Sequence, residues 1–164
     1  MARKRISPFH SIILGAKEEA CAEGSRTIKA EHILLALSSQ KGSKAQEILE
    51  SSGLDHEAIR DALNCEFEKS LLAVGIQLED SEFTSRSRNP DFQPRFAQSA
   101  KLAVHRAAAL ESKRIAPHLE PIHLLFGVLD AKAGTVPRIL EIVGVDLGEL
   151  RTRVEEALSL IRKH

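Results

Sequence analysis

The chain has 164 residues, 43% of them hydrophobic, enough for one ordinary core. Lysine plus arginine equals aspartate plus glutamate at 23 each, and a formal charge of zero argues against a dedicated nucleic-acid binder, whose surface is usually net basic. With six Phe and no Tyr or Trp, the chain also lacks the aromatic platforms that stack RNA bases or sugars. The two cysteines, Cys21 and Cys65, match no zinc or redox spacing. Cys21 reads as a small, partly buried helix residue, and no disulfide framework is expected, which suits a reducing cytosol. The basic start MARKRISPFHSIILG holds an apolar run of only Ile12, Ile13 and Leu14. That is too short for a signal-peptide core or a membrane span, so the expected location is the cytoplasm, with no membrane partner.

In chain order, Ser7 before Pro8 is an N-cap followed by the favoured first-turn proline, and Ile13, Ala16, Lys17 and Ala20 continue a helical stripe; a helix is expected over 8–23. Ile33, Leu34 and Leu37 mark a second over 30–39. AQEILESS supplies a short third helix over 43–51, ended by Gly53 at a left-handed position. Asp55 caps a fourth over 55–69. VGIQLED, 74–80, reads as a short extended piece. EDSEFTSRSRNPDFQP, 79–94, has Ser, Asn, Pro and charges without periodicity and reads as an exposed, mobile connector. Four further helices are expected over 95–113, 121–131, 136–143 and 146–162, with Gly144 and Asp146 repeating the stop and start of Gly53 and Asp55.

That repetition is systematic. IKAEHILLAL at 28–37 and LEPIHLLFGV at 119–128 place His32 and His123 at an offset of 91. The same offset pairs Ala16 with Ala107, Leu34 with Leu125, Ile48-Leu49-Glu50 with Ile139-Leu140-Glu141, and Arg60 with Arg151. A constant offset over nearly fifty residues indicates an internal duplication. The expected fold is therefore all-α: two four-helix repeats, about eight helices, related by a pseudo-twofold axis within one domain over 1–164. Repeat one covers 6–70, the linker 71–94 and repeat two 95–164. A monomer is expected, because the duplication already supplies the mate that a half-size unit would need.

AKEEA at 16–20, then I-x-x-EHILL-x-L at 28–37, then ILE-x-x-G-x-D, resembles the Clp N-terminal domain, the double four-helix module at the front of Clp-type ATPase unfoldases. The resemblance spans about residues 6–160 and is stronger in the first half. It implies a docking unit without catalysis, one that receives adaptor proteins or substrate segments or meets Clp ATPase or peptidase subunits. In some members a glutamate just before the repeat histidine helps bind phosphoarginine. Glu31 holds that place here; its counterpart is Ile122, so a second acidic site of that kind is missing. The family's Gly-Thr step before that glutamate is Lys29-Ala30 in one half and Glu120-Pro121 in the other. No G-x-x-x-x-G-K-[ST] phosphate loop occurs, so no ATP binding is expected. A starting Met and an untagged basic end, LSLIRKH, favour a free-standing small protein over an excised domain.

His32 and His123 are read as structural: each imidazole ties its helix to the neighbouring loop, as buried polar groups require. No HExxH and no carboxylate at ligand spacing supports a metal. No nucleophile elbow or nucleophile–base pair supports a hydrolase, so catalytic, cofactor and metal residues are all read as none. Glu18 and Glu19 read as solvated helix-face charges, and Arg3-Lys4-Arg5 as a frayed end. The candidate partner-binding residues are Glu31, Phe9, Phe92 and Phe96. The phenylalanines stand out of phase with the core stripe, and the starts of the first and fifth helices are expected to frame an aromatic-lined groove for a partner helix or extended peptide. The alternative is a DNA-associated helical regulatory protein, disfavoured by neutral charge and the lack of an arginine-rich recognition helix.

Overall fold

The structure is a computed structural model in which residues 6–77, 92–112 and 118–163 are described. It contains α1 (Pro8–Glu23), β1 (Thr27–Ile28), α2 (Ala30–Ser39), α3 (Lys44–Ser51), α4 (His56–Ala73), β2 (Arg95–Phe96), α5 (Gln98–Glu111), α6 (Pro121–Leu129), α7 (Thr135–Val143) and α8 (Leu147–Arg162). The fold is all-α, as the periodicity and the resemblance imply.

The ends of the helices follow from local chemistry. Ser7, Asp55 and Asp146 each accept a hydrogen bond from a first-turn N–H, those of His10, Ala58 and Glu149 respectively. Ser43 does the same for the Gln46 N–H, opening α3 at Lys44. Gly53 and Gly144 both hold φ near the left-handed region, at 77° and 85°. After each, the chain folds back so that the Leu54 and Val145 N–H groups reach the Leu49 and Leu140 carbonyls, both at 2.9 Å. The duplicated ILE-x-x-G-x-D phrase is thus one helix stop and the next helix start, made twice.

Packing obeys the same symmetry. α1 lies on α2 as α5 lies on α6; α3 touches α6 as α7 touches α2; α4 meets α7 as α8 meets α3. α2 and α6 also contact each other directly, so the pair occupies the centre. All residues from Ala30 to Ser38 are buried, as are all from Pro121 to Leu129 except the half-buried Phe126. A helix wrapped on every side has no polar face to spare, which is why EHILLAL and PIHLLFGVL are apolar all round.

Three expectations need adjusting. The fifth helix starts at Gln98, three residues later than predicted, because Arg95 and Phe96 pair in parallel with Thr27 and Ile28. The fourth runs on to Ala73 instead of stopping at 69, so Leu71–Ala73 belong to the helix and not to the connector. The extended reading of 74–80 fails where it is described: Val74 and Gly75 form the turn that ends α4, while 78–80 and most of the connector, 78–91, lie outside the described residues. Among the described residues no helix is long and apolar enough to cross a membrane.

Candidate binding cleft

The site begins at the head of α2. β1 and β2 hold it against the second repeat: the Ala97 N–H donates to the Ile28 carbonyl at 2.8 Å. Lys29 precedes α2 with extended backbone and offers no side-chain cap. The helix therefore borrows its cap from inside: the Lys29 N–H donates to Nδ1 of His32 at 2.9 Å. The next donor, the Ala30 N–H, is taken by Ser99 Oγ of α5 at 3.1 Å, so a serine of one repeat caps a helix of the other.

Nδ1 of His32 accepts, so its Nε2 carries the proton and donates to Glu23 at 2.6 Å, tying α2 to the end of α1. His123 repeats this, accepting from the Glu120 N–H at 3.0 Å and donating to Glu111 at 3.0 Å. The partner carboxylates differ: Glu23 side chain is 44% exposed, whereas Glu111 is buried and stands three residues earlier in the repeat frame. The histidines bind their own helix start and the preceding helix, a structural role of the local kind expected from the sequence.

With these donors satisfied, Glu31 sits in the first turn of α2, where the helix dipole favours a carboxylate. It is only 7% exposed, and its ion-pair partner is Lys29, at 3.8 Å. It lines a cleft of about 540 Å³ between the two repeats. Leu102, Ala103, Val128 and Val136 form the apolar wall, and the α6–α7 loop closes one side. The floor is tight because Gly127 of α6 lies on Ala103 of α5: a Cβ on Gly127 would stand 2.1 Å from the Ala103 carbonyl oxygen. Arg106 reaches across this crossing to the Gly127 carbonyl at 3.4 Å and to Asp130 at 3.8 Å. Asp130 is gripped more closely by Arg151, at 2.9 Å.

Of the four residues singled out in the sequence, Glu31 alone lines this cleft. Phe9 and Phe96 are half-buried against the core, Phe96 within β2, while Phe92 stays 39% exposed. The sequence offered no signal for Ser99, Leu102, Arg106 or Asp130, which the fold brings from the other repeat. Glu19, read as solvated, instead bridges His56 at 2.6 Å and Arg60 at 2.5 Å, binding α1 to α4. Among the described residues no three His, Cys, Asp or Glu side chains gather as a metal-ligand set.

A family model for the Clp repeat (R) N-terminal domain matches residues 7–90 and 95–164. The chain is 29% identical over 143 residues to an ATP-dependent Clp protease ATP-binding subunit ClpA homolog of Cyanidium caldarium, a match covering 87% of this chain and 15% of that protein. It is 30% identical over 143 residues to the chloroplastic chaperone protein ClpC1 of Oryza sativa subsp. japonica, covering 87% and 14%. It therefore spans only about a seventh of the length of these relatives. The N-terminal domain of the chaperone ClpD from Arabidopsis thaliana superposes with a TM-score of 0.64 at 18% identity, covering 91% of this chain and 90% of that one. The Hsp104 N-terminal domain from Candida albicans does so at 0.62 and 15% identity, covering 90% and 86%.

Proposed function

The chain belongs to the Clp repeat N-terminal domain family, and from that premise we propose that it docks a protein segment, from an adaptor or a substrate, in the cleft at the head of α2. In this reading it binds without catalysing, acts as a monomer in the cytoplasm, and serves regulated proteolysis or protein quality control together with Clp ATPase or peptidase subunits. The observation that carries the proposal is the Glu31 carboxylate, nine-tenths buried beside an apolar wall with an exposed lysine 3.8 Å away. Such a carboxylate favours a cationic group that arrives with apolar neighbours, because the wall strengthens the charge contact by excluding water. Exposed Phe92 is proposed as a second contact outside the cleft, and half-buried Phe9 and Phe96 as its supports. Nothing among the relatives favours the DNA-associated alternative.

The test is fluorescence polarisation with short peptides that place one Arg or Lys next to two or three aliphatic residues. Glu31→Gln should weaken binding of these peptides roughly tenfold, as expected for loss of a charge-assisted contact, and should leave a neutral apolar control peptide unchanged. Equal binding of the basic peptides by wild type and E31Q would refute the assignment. Turnover of any substrate by the purified chain would refute the non-catalytic reading.

A further inference from the structure

The pseudo-twofold axis supplies an internal comparison at the contact between the short third helix of one repeat and the last helix of the other. Where α7 meets α4, the matching positions are the partly buried Ile142 and Val143 and the buried Ala62, and Arg138 of α7 also pairs with Glu66 of α4 at 2.7 Å. At the positions offset by 91, α3 presents Ser51 and Ser52, and α8 presents Arg153. A recess of about 240 Å³ lies here, bounded by Ser51, Ser52, Gly144, Val145 and Arg153, whereas the recess at the α4–α7 contact is lined by Glu66 and Arg138, already paired with each other. One of the two related places therefore carries Ile142, Val143 and Ala62, and the other Ser51, Ser52 and a guanidinium.

We propose that this recess is a carboxylate-binding site, in which Arg153 touches the ligand and Ser51 and Ser52 are positioning residues that hold its guanidinium. Arg153 Nη1 donates to Ser52 Oγ at 2.5 Å and Nη2 to Ser51 Oγ at 2.6 Å. Both hydroxyls in turn donate to the Ile48 carbonyl, at 2.8 and 3.0 Å, so the serines are fixed as acceptors. Among the described residues, Arg153 bonds through its two terminal nitrogens alone, which leaves the side edge, Nε–H and an outer Nη–H, to match the two oxygens of a carboxylate. No acidic side chain among the described residues lies within ion-pair distance of Arg153, although Asp146 and Glu149 also line the recess. Asp146 is committed to capping α8 through the Glu149 N–H at 2.8 Å. Those two carboxylates oppose a doubly charged phosphate more strongly than a singly charged carboxylate. Its source is either a small free carboxylic acid or an acidic side chain on a partner protein, and the same edge serves both.

The isotope-labelled chain is titrated with sodium acetate, sodium phosphate and sodium chloride at matched ionic strength, following the Arg153 Nε–H and the Gly144 and Val145 amides by NMR. Acetate should shift these signals saturably in the millimolar range, and chloride should not. A capped peptide of alternating Glu and Ser that binds more tightly than acetate supports the site and identifies a protein segment as the source; binding no tighter supports it with a small acid as the source. R153Q should raise the acetate Kd at least about tenfold, and R153K, which keeps the charge without the planar edge, nearly as much. Circular dichroism melting establishes that both variants fold; should R153Q not fold, S52A provides the reading, with a several-fold weaker acetate response. The proposal is overturned by an unsaturable acetate shift, by the same shift in R153Q, or by phosphate binding more tightly than acetate. None of these outcomes depends on the cleft at α2.

Discussion

Gly127→Ala is the most informative single perturbation of the fold. A methyl group there would begin 2.1 Å from the Ala103 carbonyl oxygen, where an ordinary contact starts near 3.4 Å, and 3.2 Å from the Ala107 nitrogen. The obstructing atoms are backbone, so no rotamer change relieves them, and α5 must move off α6 by more than 1 Å. Overpacking of this kind costs about 3 kcal/mol at the upper end of its usual range, and replacing a mid-helix glycine returns about 1 kcal/mol. The net loss is about 2 kcal/mol, or a fall in Tm of roughly 4–8 °C for a chain this size. Gly15→Ala is the matched control: its methyl meets the Ala36 Cβ at 3.2 Å and the Ala36 Cα at an ordinary 3.9 Å, which α1 absorbs with a small shift. Both substitutions gain the same helix propensity, so G15A should melt at or above the wild-type temperature while G127A melts below it. Thermal unfolding followed by circular dichroism, with urea titration for the free energy, decides the matter. A G127A variant as stable as G15A would refute the close crossing and with it the shape of the cleft floor.

Two further outcomes follow from the site. His123→Ala removes an acceptor at the α6 start and the imidazole that holds buried Glu111, and should cost about 3 kcal/mol or more. His32→Ala should cost only about 1–2 kcal/mol, because water reaches Glu23; equal losses in urea titrations would show that carboxylate burial does not set the difference. Phe92→Ala should change stability by no more than about 0.5 kcal/mol while weakening partner capture, and Phe96→Ala should lose about 2 kcal/mol. A large stability loss in F92A would place Phe92 in the core.

Much of the fold was readable because the duplicated phrase carries its own punctuation. Ser7, Asp55 and Asp146 are caps that act through bonds to their immediate neighbours, and Gly53 and Gly144 are stops that need only a local backbone angle. The β1–β2 pair was not readable: two residues per strand carry no periodicity, and Arg95-Phe96 continues the helical pattern that follows. Glu31 stood out through the Clp N-domain resemblance, which gives a role to the glutamate before the repeat histidine. Ser99, Arg106 and Asp130 did not, since their roles depend on how one repeat lies against the other. Helix phase likewise separated the phenylalanines poorly, because Phe9 and Phe96 lie at helix entries where neighbouring elements supply the cover.

The duplicated imidazoles are also fully committed to the fold. Each ring accepts a main-chain N–H at Nδ1 and donates a hydrogen bond to a carboxylate from Nε2, so both nitrogens are engaged in holding helices together. Both halves carry a side chain known for reactivity and use it as a rivet.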